Sequence, residues 1–376
     1  MKPVLLWSDA LFFLLIASVV AGGLWAARVE HLRLAWRRVG QSRVGMGAAA
    51  VLLVFFTIGA IDSLHYRPQL PDSPQGEARY SVEVLSALDA LLTPLRTHTE
   101  KTYSAPLATH LYTKETLDDA ARDFPPLRYP GTHLFGTDKV GQDVLYLTLK
   151  SIRTGLLIGT LTTLIMLPAA VFLGLLAGYA GGWIDDVIQY IYTTLNSIPG
   201  VLLIAAAVLM MQVAIDNHPD WFATSAERAD ARLLALCAIL GITSWTGLCR
   251  LLRGETLKLR ELEYVQAARA LGVSGARILW RHILPNLMHI VLIAIVMDFS
   301  GLVLAEAVLS YVGIGVDPNT ISFGTMINTA RMELAREPMV WWSLAAAFAF
   351  MFVLVLAANL FTDVMRDAFD PRMVER

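Results

Sequence analysis

The sequence predicts an all-α, polytopic transmembrane helix bundle, and three observations carry that prediction. The 376 residues are 56% apolar and only 16% charged, against about 25% charged in an ordinary soluble domain. Long uncharged runs recur at Ala10–Ala27, Val44–Ile61, Thr154–Ile184, Val187–Ile215, Leu233–Cys249 and Pro338–Thr362, with a seventh apolar segment at about Leu287–Leu309 that carries Asp298 and Glu306. Each is close to the ~20 residues that a spanning helix needs. Basic residues crowd into two short segments: Arg28, Arg33, Arg37, Arg38 and Arg43, then Arg250, Arg253, Lys258, Arg260, Arg269, Arg277 and Arg281. Short basic loops stay in the cytoplasm. Both are therefore expected inside, with the N-terminus and the long Asp62–Arg153 segment outside. The net charge of −2 singles out no partner, and no nucleic-acid partner is expected.

The first run follows Met1-Lys2 and ends in Leu24-Trp25-Ala26-Ala27, a faint echo of a signal peptide. Cleavage would have to deliver the following arginines to the outside, so the run is read as a retained span. Residues 1–45 form this span and a basic linker; 46–63 form the second span.

Residues 64–150 are external. Within 64–130, Val84, Leu88, Leu91 and Leu92 sit at helical spacing, predicting a short amphipathic helix over Ser81–Leu92. Thr116-Leu117-Asp118-Asp119 resembles a capping box, and Pro125-Pro126 would stop that helix. A spacer packed on the outer surface is preferred to a dedicated partner site. Then comes His133-Leu134-Phe135-Gly136-Thr137-Asp138-Lys139-Val140-Gly141-Gln142-Asp143-Val144. Its Gly and Asp residues suit tight turns and a cap for the third span.

Pro168 lies in span three, and Asn196-Ser197-Ile198-Pro199-Gly200 interrupts span four. Proline removes a helix hydrogen bond, and such breaks are tolerated where a cavity or neighbouring helices satisfy the backbone. Asn196 and Pro199 are thus candidates for lining a pathway or for a static packing kink. Cys237 and Cys249 share one apolar run, ~18 Å apart along a helix, too far for a disulfide; they are expected to be core residues. Asp298 and Glu306 fall about 80° apart around one helix at ~100° per residue, so both can face inward. Intramembrane carboxylates normally face a bundle interior or water. Either can contact a solute or bond a neighbouring helix.

Between spans five and six lies Glu263-Tyr264-Val265-Gln266-Ala267-Ala268-Arg269-Ala270-Leu271-Gly272. The Ala-rich stretch favours helix, Gly272 can end it in a left-handed turn, and Ser274 can cap a second short helix over Gly275–Ile283 before Pro285. Ala267, Ala268 and Ala270 would allow another protein close to the backbone. The loop therefore reads as a docking knob, or as an ordinary interfacial helix with a glycine stop.

These residues carry a resemblance. Gln266-Ala267-Ala268, Gly272 and Leu284-Pro285 resemble the EAA loop of ABC importer permeases, with Gln266 in place of the usual Glu. His133–Val144 resembles the H-P-L-G-T-D-x-x-G-R-D-V signature of dipeptide, oligopeptide and nickel permeases, with Leu134 and Gln142 as departures. Gly178-Tyr179-Ala180-Gly181-Gly182-Trp183-Ile184-Asp185, Leu304-Ala305-Glu306-Ala307 through Gly315, and Asn359-Leu360 through Asp370-Pro371-Arg372 resemble further motifs of that family, in order.

The resemblance implies a type I importer permease fold. Its five-helix core would occupy 151–364, with the coupling loop at 253–286 and a cytoplasmic tail at 365–376; the first span and the external segment are additions. It implies that Glu263, Gln266, Ala267, Ala268, Gly272 and Pro285 serve the coupling loop, and Gly136, Thr137, Asp138, Gly141 and Asp143 the external motif. It also implies a second, different permease subunit, two cytoplasmic ATPases that hold the ATP and Mg, an external solute-binding protein, and a bacterial inner membrane. This chain itself is expected to bind no cofactor. Peptides are the favoured solute, nickel or another small solute the alternative. The thirteen Met and eight His show no ligand-spaced cluster, so no metal site is predicted.

Rival classes have weaker support. No G-x-x-x-x-G-K-[ST] is present to cradle phosphate. Asp298-Phe299-Ser300-Gly301 superficially resembles an intramembrane serine protease motif, but nothing is evident to activate Ser300, His289 included. A self-contained carrier would show internal repeats, and none is visible.

Overall fold

The computed structural model describes residues 2–26, 28, 30–69, 80–117, 121–222 and 224–369. A short strand β1 (Lys2–Val4) leads into α1 (Trp7–Ala26), an amphipathic helix α2 (Glu30–Gln41) and α3 (Arg43–Asp62). β2 (His65–Arg67) and β3 (Leu85–Ser86) follow, then α4 (Ala87–Leu91), α5 (Thr93–Thr97) and the pair β4 (Glu115–Leu117) and β5 (Ala121–Asp123). The remaining helices are α6 (Val144–Ala180), α7 (Gly182–Ser197), α8 (Gly200–Asp216), α9 (Ser225–Ser244), α10 (Thr246–Leu259), α11 (Glu263–Ala270), α12 (Gly275–Ile278), α13 (Leu284–Val312), α14 (Phe323–Glu333) and α15 (Trp342–Phe369).

Among the described residues, six helical stretches are long and apolar enough to cross a membrane, and α7 with α8 passes the same test only as a pair bent by 85° at its break, a broken span or a re-entrant loop. The break falls at Ile198–Pro199. Pro168, by contrast, sits inside an unbroken α6.

Several boundaries move. α6 has 37 residues, about 55 Å at 1.5 Å per residue, well beyond a ~30 Å hydrocarbon core. Its first turns therefore project beyond the predicted Thr154 start and carry Lys150 and Arg153. The segment 250–259, expected to be loop, continues as α10. The second short helix, Gly275–Ile283, is not separate: α12 passes through a π-helical turn at Leu279–Ile283 into α13, one stretch over Gly275–Val312. Pro285 falls in the first turn of α13, where a missing N–H is tolerated, so it does not terminate a helix.

Strand β2 pairs antiparallel with both β1 (Pro3↔Tyr66) and β3 (His65↔Ser86). The N-terminus and residue 65 thus share one end of the bundle. At the opposite end, Trp36 of α2 packs edge-on against Phe369 of α15 at 5.9 Å, and His289 of α13 lies beside Arg366 and Phe369. We refer to these as the strand end and the basic end. Asp370, Pro371 and Arg372 of the tail motif lie outside the described residues.

The helix expected over Ser81–Leu92 shrinks to α4. Ser86 and Asp89 cap it reciprocally, and the residues before it pair as β3 instead. Thr116 lies in β4, which pairs with β5 (Thr116↔Arg122), so a hairpin replaces the expected helix cap. Asp118 and Asp119 lie outside the described residues.

Two apolar clusters hold the bundle. One, towards the strand end, joins Phe12, Ile152–Leu161, Phe299, Val303 and Trp342; the other, towards the basic end, joins Met166, Leu175, Cys249, Leu252, Val265 and Ile278. In the second, α6 and α10 approach so closely that a Cβ on Gly178 would lie 2.7 Å from the Arg253 carbonyl oxygen.

Charged pairs absent from the sequence reading tie α1 to the core. Arg153 donates to Asp9 (2.5 Å) and Ser8 (3.0 Å), His65 meets Asp9 at 2.7 Å, and Ser8 donates to Asp230 of α9. These partners are 56 to 222 residues apart in sequence.

Candidate functional site

The basic end presents the site. Arg253 of α10 grips Asp185 of α7 with two bonds, 2.5 and 2.6 Å, a bidentate pairing that fixes direction as well as distance. Arg260 donates to the Gly178 carbonyl at 3.2 Å. α10 therefore leaves the bundle in a set direction, and α11 follows after Leu262.

α11 ends in a Schellman motif. The Val273 N–H reaches the Ala268 carbonyl and the Gly272 N–H the Arg269 carbonyl, both at 3.1 Å. Gly272 has φ +78° and no atom near the place of a Cβ. Its requirement is one of backbone conformation alone.

The burial pattern divides the predicted loop residues. Glu263, Gln266, Ala267, Gly272 and Pro285 are exposed. Ala268 is not: with Val265 it packs into the bundle, since positions 265 and 268 share the inward side of this short helix. The close-approach surface is Ala267 and Ala270. Gln266 donates to the Glu261 carbonyl at 3.2 Å and to its carboxylate at 3.4 Å, so its amide is engaged within the loop. Ser274 stands at the cap position of α12, but its side chain makes no capping bond.

Three site residues were missed. Leu271 (83% exposed) and Trp280 (62%) project from this basic surface beside the half-exposed Tyr264, which Asn286 of α13 holds through its hydroxyl at 3.1 Å. The available signal was the presence of large apolar side chains within an otherwise charged loop; exposed apolar groups rimmed by charge mark interaction surfaces.

The pathway candidates do not form one hydrogen-bonded constellation. Asn196, at the end of α7, accepts from Thr246 of α10 at 3.0 Å, and Pro199 opens α8. Asp298 is half-buried and accepts no hydrogen bond among the described residues. It borders the exposed stripe of α13 formed by Met297, Leu304, Val308 and Tyr311. Glu306 differs: it is 1% exposed and its Oε1 accepts from Ser310 (2.7 Å) and from Ser322 (2.8 Å), the residue that caps α14. Glu306 is a helix-interface residue.

At the strand end, the 133–144 motif is a turn-and-cap device. Asp143 caps α6 by accepting from the Leu145 and Tyr146 N–H groups and also meets His133 at 2.8 Å. Asp138 accepts from the Val140 and Gln142 N–H groups; burial pushes its carboxyl above the usual range against these bonds. Thr137 donates to the Thr102 carbonyl and accepts from the Ser104 N–H. Gly136 and Gly141 have φ +71° and +77°, and a Cβ on Gly141 would collide with the Glu100 carbonyl oxygen at 1.9 Å.

Among the described residues, no group of three or more His, Cys, Asp or Glu is placed to hold a metal. Cys237 and Cys249 are buried free thiols.

This architecture is that of a multi-pass membrane protein. A family model described as "binding-protein-dependent transport system inner membrane component" matches residues 170–375. The oligopeptide transport system permease protein OppC of Mycobacterium tuberculosis (strain ATCC 25618 / H37Rv) is 32% identical over 246 residues, 65% of this chain and 78% of that protein. The glutathione transport system permease protein GsiD of Pectobacterium atrosepticum is 33% identical over 241 residues, covering 64% and 73% of the two chains. The dipeptide transport system permease protein DppC of Lactococcus lactis subsp. cremoris is 31% identical over 243 residues, 65% of each. An inward-facing structure of the MetNI methionine ABC transporter aligns over 60% of this chain and 97% of its own, at 16% identity and a TM-score of 0.44. The chain belongs to the family of binding-protein-dependent transport system inner membrane components.

Proposed function

We propose that the chain is the permease subunit of an ABC importer for di- or oligopeptides in a bacterial inner membrane. It would form half of the pathway beside a second, different permease, with a solute-binding protein outside and two ATPases inside that hold the ATP and Mg. The observation that carries the coupling role is α11: a short helix ended by a Schellman turn, offering Ala267, Ala270 and Leu271 on the Arg-rich face. The names of the matched relatives favour peptides. Asn196 and Pro199 at the broken helix, and Asp298 beside the open stripe of α13, are the proposed pathway residues. Glu263, Gln266, Gly272 and Pro285 belong to the coupling loop with Ala267, while Ala268 supports it from within.

The test is ATP-dependent uptake of a labelled tripeptide by vesicles holding this chain, its partner permease, the ATPases and the binding protein. Uptake driven by a proton gradient without ATP would overturn the reading; uptake of nickel but no peptide would replace the substrate.

The orientation has its own test. Cysteines replacing Gln41 or Ser274, both exposed at the basic end, should react only with reagent admitted to the cytoplasm. A cysteine replacing Leu107, exposed at the strand end, should react from outside. Labelling of the Ser274 site by an impermeant reagent in intact cells would invert the topology.

A further inference from the structure

The strand end contains a cavity that no step of the transport reading uses. It measures about 510 Å³ and opens between residues 83–97, the first turns of α6 and the segment joining α13 to α14. Small-molecule sites run from about 300 to 1,000 Å³.

Its polar groups are unevenly satisfied. Among the described residues, Arg96 has a buried Nε with no partner, and its guanidinium meets Glu83 alone, at 3.5 Å, with the Glu83 side chain 68% exposed. The side-chain amides of Gln142 and Asn319, on the same wall, make no hydrogen bond with the described residues. A planar guanidinium flanked by amide donors matches a carboxylate.

The other charges have the opposite balance. Lys150 serves two carboxylates, Asp62 at 2.7 Å and Asp89 at 3.1 Å. Burial alone would raise the Asp89 carboxyl, but the Lys150 charge and bonds from Ser86, Tyr146 and Lys150 hold it below the ordinary range. One ammonium against two carboxylates leaves one negative charge in excess, while Glu83 is offset by Arg96. Such a surplus suits a ligand ammonium. Val84, Leu85, Leu95 and Ile321 supply apolar wall between the polar groups.

We propose that this cavity binds a short zwitterionic peptide, its carboxylate on Arg96 with Gln142 and Asn319, its ammonium towards Asp89 and Glu83. The site lies apart from Asn196, Pro199 and Asp298, and the choice of ligand rests on the cavity's own charges.

Calorimetric titration of the purified full chain with dialanine tests the proposal. Saturable binding is expected, about tenfold weaker for N-acetyl-dialanine and for dialanine amide, since each loses one charge-assisted contact. Arg96→Gln should weaken dialanine about tenfold or more, and Val84→Trp, which fills the space, should abolish binding. Absence of saturable binding to the wild-type chain overturns the proposal. So does equal binding of the blocked peptides, or unaltered binding in both Arg96→Gln and Val84→Trp. Binding is read without ATP or partner subunits, so this proposal and the transport reading fail separately.

Discussion

Gly272→Val is expected to cut transport roughly tenfold or more while the membrane bundle stays folded. The residue sits at φ +78° with open space around it, so valine meets no clash; the penalty is conformational. A β-branched residue held at positive φ costs about 1–3 kcal/mol, and the segment can relieve that strain by unwinding the Schellman turn. The 3.1 Å bonds from Gly272 and Val273 would then open, and Leu271 and Ala267 would no longer be presented together. Ala267→Asp reaches the same surface by another route: Ala267 is exposed, so the variant should fold normally, yet it places an unpaired charge in any close contact, which opposes docking. Both variants should co-purify with less ATPase, or keep it and lose solute-stimulated hydrolysis, while solute binding to the isolated external protein is unchanged. Ala268→Asp, at a buried position, should instead reduce the yield of folded protein. Normal ATPase retention and stimulated turnover in both Gly272→Val and Ala267→Asp would show that α11 is not the coupling element.

Glu306→Leu is expected to fail in folding rather than in solute passage. A carboxylate within a span invites a pathway role from sequence alone, but its Oε1 holds two hydroxyls within a buried junction. Leucine would leave these donors without their acceptor. At about 1–3 kcal/mol for each unsatisfied group, the loss is on the order of 3–5 kcal/mol, enough to lower the melting temperature markedly and to loosen α14 from α13. Glu306→Gln keeps an acceptor oxygen and should recover most of that stability. Thermal unfolding of the purified chain separates the outcomes. A Glu306→Leu protein that melts like the wild type yet carries no solute would return this residue to the pathway.

The sequence by itself determined which segments span and where the chain breaks, because those properties are local. Apolar run length picked out the six stretches long enough to cross a membrane, Pro199 marked the interruption between α7 and α8, and Gly272 marked the end of α11 through its backbone freedom. Motif order in the chain likewise carries the resemblance to the family. Side-chain partners were decided only by tertiary structure, because they depend on helix rotation and on contacts between distant segments. Ala267 and Ala268 are adjacent and chemically identical, yet only the packing of α11 turns one outward and the other inward. Asp298 and Glu306 share a helix, but only the approach of α14 brings the Ser322 hydroxyl to Glu306. Pro285 ends no helix because it falls in the first turn of α13, where its missing N–H is tolerated. Arg153 with Asp9, and the cavity wall made by Arg96 and Asn319, join residues whose separation in the chain carries no periodic signal. Their pairing exists only once the helices have packed.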